Sequence, residues 1–492
     1  MTFIRGGVLL IAAFLAALSV WRLESYRSDL DISHAKVGTT PVTVYSDPVA
    51  SPAPAVVIAH GFAGSRQLME AFALTLARAG YVAVSFDFEG HGRNPTPMSG
   101  DVSAVEGTTR LLMAETGRVT DFALAHPQVD GRVALLGHSM ASDVIVRQTI
   151  DDPRVAATVA ISLFSRAVTE TVPNRLIAIN GEWETMLRQE ARRVVQLVEP
   201  DATEGETVQS RGVARRAIAA PNVEHVGVLY APTSLQEARD WLDGTFQRDS
   251  SSDLAETGGW IALLLASLMA LAWPLMRVVP AGPAPDIPAR RDYLTALCAA
   301  TALTPLALAP VELKLLPVLV ADYLGLHLLL FGMIVLAILR WRGLSLPLRG
   351  WGAALLLCIF GIGVFGFALD RYVASFMPHA ARLPIIAALS FGAVAYMIAD
   401  AALTQVGQAS LWRRLLAKAG FVVSLGIAVA LDFEGLFFLL IIFPVILLYF
   451  LIFGTIGGWA GRRSGAVFGV GVGLGLILAW SLGVSFPMFN VG

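Results

Sequence analysis

Two textures divide the chain at about residue 257. Before it, past an apolar run in the first two dozen residues, apolar residues come in short runs broken by polar clusters; after it they form stretches close to the ~20 residues needed to cross a bilayer. Eight such stretches are expected, at 257–276, 293–311, 316–339, 350–370, 383–403, 418–431, 436–455 and 465–487, the sixth being the shortest. In the first half, the continuous apolar run at 54–59 predicts a strand buried on both faces. A helix at 67–79 ending at Gly80 follows, then a strand at 81–86, a long amphipathic helix at 104–125 and a strand at 132–136. Further on come a helix at 140–150, strands at 155–163 and 175–179, a helix at 184–198, a strand near 214–220 and a closing helix at 234–246. Alternation at this spacing predicts a mostly parallel sheet with helices on both faces, with catalytic loops at the carboxyl ends of its strands.

The first twenty residues carry one basic side chain, Arg5, before an apolar run at 7–21, the pattern of a signal sequence or a signal anchor. Ala17-Leu18-Ser19 has the small-x-small form of a cleavage site; an uncleaved anchor over 1–22 is the expectation carried forward. The expected organisation is thus an anchor, a polar domain over 30–250, a short serine-rich linker at 249–256 and an all-α polytopic membrane domain over 257–492. Composition agrees with the split: 55% of residues are hydrophobic and 15% charged, which excludes a disordered chain. The formal net charge of −2 divides into −8 before residue 257 and +6 after it, and no basic excess points to nucleic acid. Cys298 and Cys358 both lie in apolar runs, so neither a disulfide framework nor a thiolate metal cage is expected. Alternate loops of the second half carry Arg277, Arg290, Arg291; Arg340, Arg342, Arg349; Arg413, Arg414, Lys418; and Arg462, Arg463. The opposite loops carry only Lys314, Arg371 and Arg382. Because cytoplasmic loops are enriched in Lys and Arg, eleven against three predicts the polar domain on the extracytoplasmic side.

The chemistry gathers where strands end. Gly137-His138-Ser139-Met140-Ala141 follows the strand at 132–136: a serine between small residues, on a sharp turn from strand to helix, is a nucleophile elbow. His60-Gly61-Phe62 follows the first buried strand, where the N–H groups of Phe62 and Met140 could hold a developing oxyanion. His225, in Asn222-Val223-Glu224-His225-Val226-Gly227, is the candidate general base, because a serine hydroxyl needs one at neutral pH. Between them in chain order stands Gly181-Glu182-Trp183-Glu184; Glu184 is the preferred acid to orient the histidine, with Glu182 competing.

These motifs, with Phe86-Asp87-Phe88-Glu89-Gly90-His91-Gly92-Arg93, resemble the α/β-hydrolase fold over residues of about 36–247. The likeness is to its compact lysophospholipase, monoglyceride-lipase and serine-aminopeptidase-like branch. The resemblance implies a serine hydrolase, on carboxylic esters of lipids or small molecules, that needs no cofactor or metal. Two departures stand out. The family usually has Asp where Glu184 is, and its lid is reduced here to the ten residues 165–174. His60 and His91 read as loop-shaping groups and Asp87 as the pin of its loop. Among the ionisable residues of the apolar half, Glu312, Lys314, Asp322, His327, Asp370, Arg371, Asp400, Asp432 and Glu434, most fall near expected span ends, where water solvates them. The expected partners are an ester or lipid substrate and membrane lipids. A transporter or sensor with a catalytically silent outer domain is the competing reading, and an acyltransferase or peptidase could use the same triad.

Overall fold

The computed structural model describes residues 2–49, 52–101 and 105–490, so Met1, Ala104 at the start of one expected helix, and the last two residues lie outside it. Helix α1 (Thr2–Ser25) leads into a hairpin, β1 (Asp31–Val37) and β2 (Thr40–Ser46), that turns at Gly38. There follow β3 (Ala53–Ala59), β4 (Val82–Phe86), β5 (Val129–His138), β6 (Val155–Ile161), β7 (Arg175–Gly181), β8 (Thr207–Ser210) and β9 (Val213–Ala220). They form one sheet in the order β1-β2-β4-β3-β5-β6-β7-β9-β8, parallel from β4 through β9 and antiparallel at both margins. This is an α/β-hydrolase fold joined to a helical C-terminal region with several long apolar helices. The hairpin and β8 are absent from the expected strands: β1 is mostly exposed and β8 is four residues long, so neither leaves a continuous apolar run.

Successive side chains of a strand face opposite sides, and β3 shows the consequence. Val56 and Ile58 pack with α2 (Glu70–Arg78), while Val57 and Ala59 pack with α3 (Arg110–Leu124) and α4 (Met140–Asp151). On the second face α5 (Thr185–Gln196) covers β7, and α6 (Pro232–Phe246) joins α2 on the first. All seven residues of β3 are buried, which an edge strand could not achieve. The expected linker at 249–256 is instead docked on this unit: Ala255 N–H donates to Thr75 Oγ1 at 3.1 Å, and Ser250 Oγ to Asp243 at 2.5 Å. A polar composition reads as solvated chain until the partners that satisfy it are known.

The helical region comprises α7 (Gly258–Leu275), α8 (Arg290–Leu308), α9 (Ala321–Trp341), α10 (Trp351–Cys358), α11 (Gly366–Tyr372), α12 (Leu383–Leu403), α13 (Leu411–Leu431), α14 (Phe433–Leu436), α15 (Leu439–Ser464) and α16 (Val467–Ser485). A π-helical segment, Ile359–Phe365, joins α10 to α11. Among the described residues, eight helices are long and apolar enough to cross a membrane: α1, and seven after residue 257, with α10 and α11 counted as one. The stretch expected at 293–311 corresponds to α8, which falls short because Arg290, Arg291 and Asp292 occupy its first turn. The stretch expected at 418–431 lengthens to a 21-residue helix, since α13 begins at Leu411 and carries Arg413, Arg414 and Lys418 within it. Glycines on α16 permit backbone contact with α12: a Cβ on Gly471 would lie 2.5 Å from Ile398 Cα, and one on Gly475 2.5 Å from Val394 Cα.

The ionisable side chains of this region mostly have local partners. Asp322 accepts from the N–H groups of Leu315 and Leu316, both at 3.0 Å, and Asp370 from those of Phe376 and Met377, both at 2.8 Å. Asp432 accepts from Gly435 N–H, Asp400 pairs with Lys418, Arg371 with Glu24, and His327 meets Ser424.

The basic loops gather at one end of the helices. Gly282 N–H donates to Arg463 O, Arg349 donates to the carbonyls of Pro283 and Gly465, and Arg413 to that of Pro288. The other end meets the sheet unit. Arg93 pairs with Asp370 at 2.5 Å, and Ser375 N–H donates to Ser65 Oγ at 3.0 Å. Arg382, expected in one of the less basic loops, is 1% exposed. Its guanidinium donates to Phe486 O at 2.7 Å, and to Gly483 O and Gly90 O at 3.0 Å each. The chain's last described residues are tied in the same way: Met488 N–H donates to Gly90 O, Met98 N–H to Met488 O and Phe489 N–H to Pro317 O, all at 2.8 Å. Removing the donor would leave the carbonyls of Gly483 and Phe486 buried without this partner, at about 1–3 kcal/mol each, while Gly90 O would keep Met488 N–H. Arg382→Met is therefore expected to lower the apparent Tm of the full chain in detergent by several degrees, measured by thermal unfolding.

Candidate active site

One row of the sheet aligns the site. His138 of β5 pairs with Ile161 of β6, Ile161 with Ile179 of β7, and Ile179 with Ile218 of β9. Parallel strands all point the same way, so the residues just beyond this row emerge along one edge. Ser139 stands there at the turn from β5 into α4, with φ 55° and ψ −118°, a conformation that L-residues rarely adopt. Its N–H donates to Ile161 O at 2.9 Å, which anchors the turn to the neighbouring strand. A Cβ added to Gly137 would lie 2.9 Å from Ala141 O and 3.1 Å from Ala141 Cβ, so only small residues fit on either side of the serine.

Three of the expected residues meet. Ser139 Oγ lies 2.9 Å from His225 Nε2, and His225 Nδ1 lies 2.5 Å from Glu184 Oε1, although 86 positions separate the serine from the histidine. Glu184 is buried, and its second oxygen accepts from Gly181 N–H at 2.6 Å and Ser162 Oγ at 2.9 Å. Burial would raise this carboxyl, but hydrogen bonds from His225 and Gly181 N–H, with the nearby imidazole and the Ser162 hydroxyl, outweigh it and hold the group below the usual carboxylate range. Glu182 is not brought to the histidine. It is exposed and accepts from Asn222 N–H at 2.7 Å, bracing the turn that precedes His225.

The oxyanion-side residues sit against the elbow. A Cβ on Gly61 would lie 3.0 Å from Ser139 Cβ, which brings the loop after β3 into contact with the serine. Among the described residues, neither Phe62 N–H nor Met140 N–H has an acceptor in the chain. Met140 is the first residue of α4, where helical N–H groups lack intrahelical partners. His60 accepts from Phe88 N–H at 3.1 Å through Nε2, and His91 Nδ1 lies 2.9 Å from Glu89 O, so both tie loops together. Asp87 accepts from the N–H groups of Arg66 and Arg93, and from the Arg66 guanidinium. Among the described residues, no group of three or more His, Cys, Asp or Glu side chains could hold a metal ion.

Two contributors went unassigned at the level of sequence. Ser162, with φ 52°, stands one strand over from Ser139 at the same level of the edge and holds Glu184. Its position falls inside the strand expected at 155–163, which the structure ends at Ile161, so nothing local marked it. His138, inside the elbow motif, lies with Nε2 2.9 Å from His225 O, so it donates there and fixes the backbone of the histidine loop. Burial, then the neighbouring His225, pushes its pKa down to about 3. The site is open: the His225 side chain is 44% exposed, and the reduced lid segment only bridges β6 and β7.

The serine aminopeptidase (S33) family model matches residues 50–211, a third of the chain. No curated protein matches it. A dienelactone hydrolase from Anabaena variabilis is 15% identical over 44% of this chain and 98% of that one, with a TM-score of 0.34. A predicted CIB-like hydrolase from Thermoplasma acidophilum is 14% identical over 44% and 98%, with a TM-score of 0.34. A membrane phospholipase A described as a bacterial virulence factor is 15% identical over 50% and 98%, with a TM-score of 0.33. These are likenesses to those proteins, whose substrates remain their own.

The low His138 pKa has a thermodynamic consequence. Below pH 6.5 the unfolded chain binds a proton at this residue that the folded chain refuses until about pH 3, so stability falls as pH drops through that window. In chemical denaturation of the full chain between about pH 4 and 6, His138→Asn is expected to reduce the pH slope of stability by about one proton. An unchanged slope would mean that His138 ionises in the folded protein.

Proposed function

We propose that the protein is a membrane-embedded serine hydrolase that cleaves carboxylic esters through an acyl-serine intermediate. The observation that carries the reading is the unbroken relay from Ser139 Oγ through His225 to Glu184, at 2.9 Å and 2.5 Å. In this reading His225 Nε2 takes the Ser139 proton as Oγ attacks the ester carbonyl carbon, and the negative oxygen that forms lies against Phe62 and Met140 N–H. Collapse breaks the bond to the alcohol, which leaves with the proton from His225. Water then enters by the same steps in reverse and releases the acid. Glu184 keeps the Nδ1 proton in place and stabilises the imidazolium. The matched family model favours peptide-bond cleavage as the second reading, since the same relay attacks an amide carbonyl.

A fluorophosphonate probe should label the wild-type chain in membranes and not Ser139→Ala; equal labelling of both would remove the assignment. On ester substrates Glu184→Gln is expected to lower kcat on the order of 10³- to 10⁴-fold, with Glu182→Gln within about threefold of wild type. Parallel assays on aminoacyl anilides decide between ester and peptide substrates. A wild type inactive on both would favour a silent binding domain in a transporter or sensor.

We further propose that the hydrolase unit faces the extracytoplasmic side and that α1 remains as an anchor. Support comes from the basic loops, which gather at the end of the helices away from the sheet unit. Support for the anchor comes from the packing of α1 at and before the candidate cleavage site: Ser19 and Ala12 are buried, and Ala16 packs into the core that contains Ile261, Leu264 and Leu268 of α7. Protease added to sealed right-side-out vesicles is expected to digest the hydrolase unit without detergent; protection until lysis would reverse the orientation.

A further inference from the structure

The loops on either side of the catalytic residues rest on the ends of the long apolar helices. After β3, the Phe62 ring lies 5.4 Å from that of Phe438, which immediately precedes α15. After β4, Gly90 O accepts from Arg382, which immediately precedes α12, and from Met488 N–H, three residues beyond α16. After β9, Tyr230 packs on the start of α7, where a Cβ on Gly258 would lie 2.7 Å from Tyr230 Cβ. All four helices are long and apolar enough to span a bilayer. In the sheet order β5, β6 and β7 stand between β3 and β9, so their loops emerge at this same level, where the spans end. Ser139 shares it, since a Cβ on Gly61, next to Phe62, would lie 3.0 Å from Ser139 Cβ.

What these loops turn outward is apolar. Phe164 after β6, Trp183 and Met186 around the start of α5, and Val226 after β9 are all exposed. Their backbones are tied close to the site. Phe164 N–H donates to Ser142 Oγ in the first turn of α4, and Trp183 N–H to Val223 O in the histidine loop, both at 3.1 Å. Trp183 directly precedes Glu184, and Val226 directly follows His225. The acids among them are turned to the backbone: Glu182 accepts from Asn222 N–H, and Glu224 from the N–H groups of Val226 and Gly227. Arg166, two residues past Phe164, is exposed. Large apolar side chains gathered along one exposed edge mark a contact surface. Aromatic rings with a cation nearby suit the headgroup layer of a bilayer, which accepts both.

We infer that this rim is a membrane-docking surface: Phe164, Trp183, Met186 and Val226 enter the headgroup layer of the leaflet on which the sheet unit rests, beside the helical region. The occupant is a lipid surface because the rim continues an edge whose neighbouring loops already sit on the span ends. The opening beside Ser139 then faces that leaflet rather than bulk water. The inference rests on the membrane embedding proposed above and not on the hydrolytic chemistry.

The test attaches the environment-sensitive dye nitrobenzoxadiazole to single cysteines of the full chain in phosphatidylcholine vesicles. The vesicles are made without quencher, or with phosphatidylcholine carrying a doxyl group either near the headgroup or deep in the acyl chain. The two native cysteines are first removed as Cys298→Ala and Cys358→Ala. Phe164→Cys, Trp183→Cys and Met186→Cys report the rim, all at exposed positions that tolerate replacement. Arg211→Cys, in the exposed turn before β9, reports the opposite edge of the sheet, and Leu451→Cys, exposed midway along α15, reports a span. The shallow quencher is expected to lower emission about twofold at the rim positions and the deep one about twofold at 451, with 211 changed by less than about a tenth. Quenching at 451 without quenching at the rim overturns the docking surface, whether the rim dyes emit as in water or turn blue because protein covers them. Equal quenching at 211 overturns it too. No quenching at 451 instead removes the membrane embedding beneath it.

Discussion

The register of the parallel ladder is the constraint on which the site depends. Because β5, β6, β7 and β9 run the same way and pair through His138, Ile161, Ile179 and Ile218, whatever follows each strand must emerge at one edge. A shift of one residue in any of these pairings would turn the following side chain to the other face. The ladder therefore sets the heights at which a hydroxyl, an imidazole and a carboxylate leave the sheet. The loops then need only short-range chemistry: the strained turn at Ser139, the brace from Glu182 to Asn222, and the bond from His138 to His225 O.

Glu184 shows how the surroundings of a side chain decide its state. Buried alone, a carboxylate would be driven toward its neutral form. Here its two oxygens meet His225 on one side and Gly181 N–H with Ser162 Oγ on the other, so the charged form is the one that is satisfied. Glu184 stands at the N-cap of α5, which begins at Thr185, and its side chain reaches back to the strand edge at Gly181.

The two halves of the molecule are joined by backbone as much as by side chains. Gly90 O accepts from both Arg382 and Met488 N–H, and Met98 N–H bonds to Met488 O, so the last segment of the chain lies along the loop after β4. That loop carries His91, whose ring packs against His60 and Phe62. A continuous chain of packed and hydrogen-bonded groups thus runs from the ends of the long apolar helices to the loop beside the serine. The ring contacts of Phe62 with Phe438 and Phe489 are a product of this junction and belong to neither half alone.

Much of this was legible along the chain. The buried runs at 54–59 and 132–136 announced parallel strands, and the glycine, serine and alanine of the elbow declared a turn that only small neighbours permit. The order of serine, acid and histidine gave the chemistry its direction. The β1–β2 hairpin, the docking of residues 249–256, the burial of Arg382 and the bond from Ser162 to Glu184 had no local signature, because each depends on a partner far away in the chain. Sequence determines which segments are buried and which residue types stand at strand ends, since burial and turn chemistry are written in near neighbours. Which carboxylate meets His225 is set by tertiary structure alone: the ladder and α5 bring Glu184 to the imidazole and leave Glu182 against Asn222 N–H, a difference between near neighbours in the chain that no local pattern encodes.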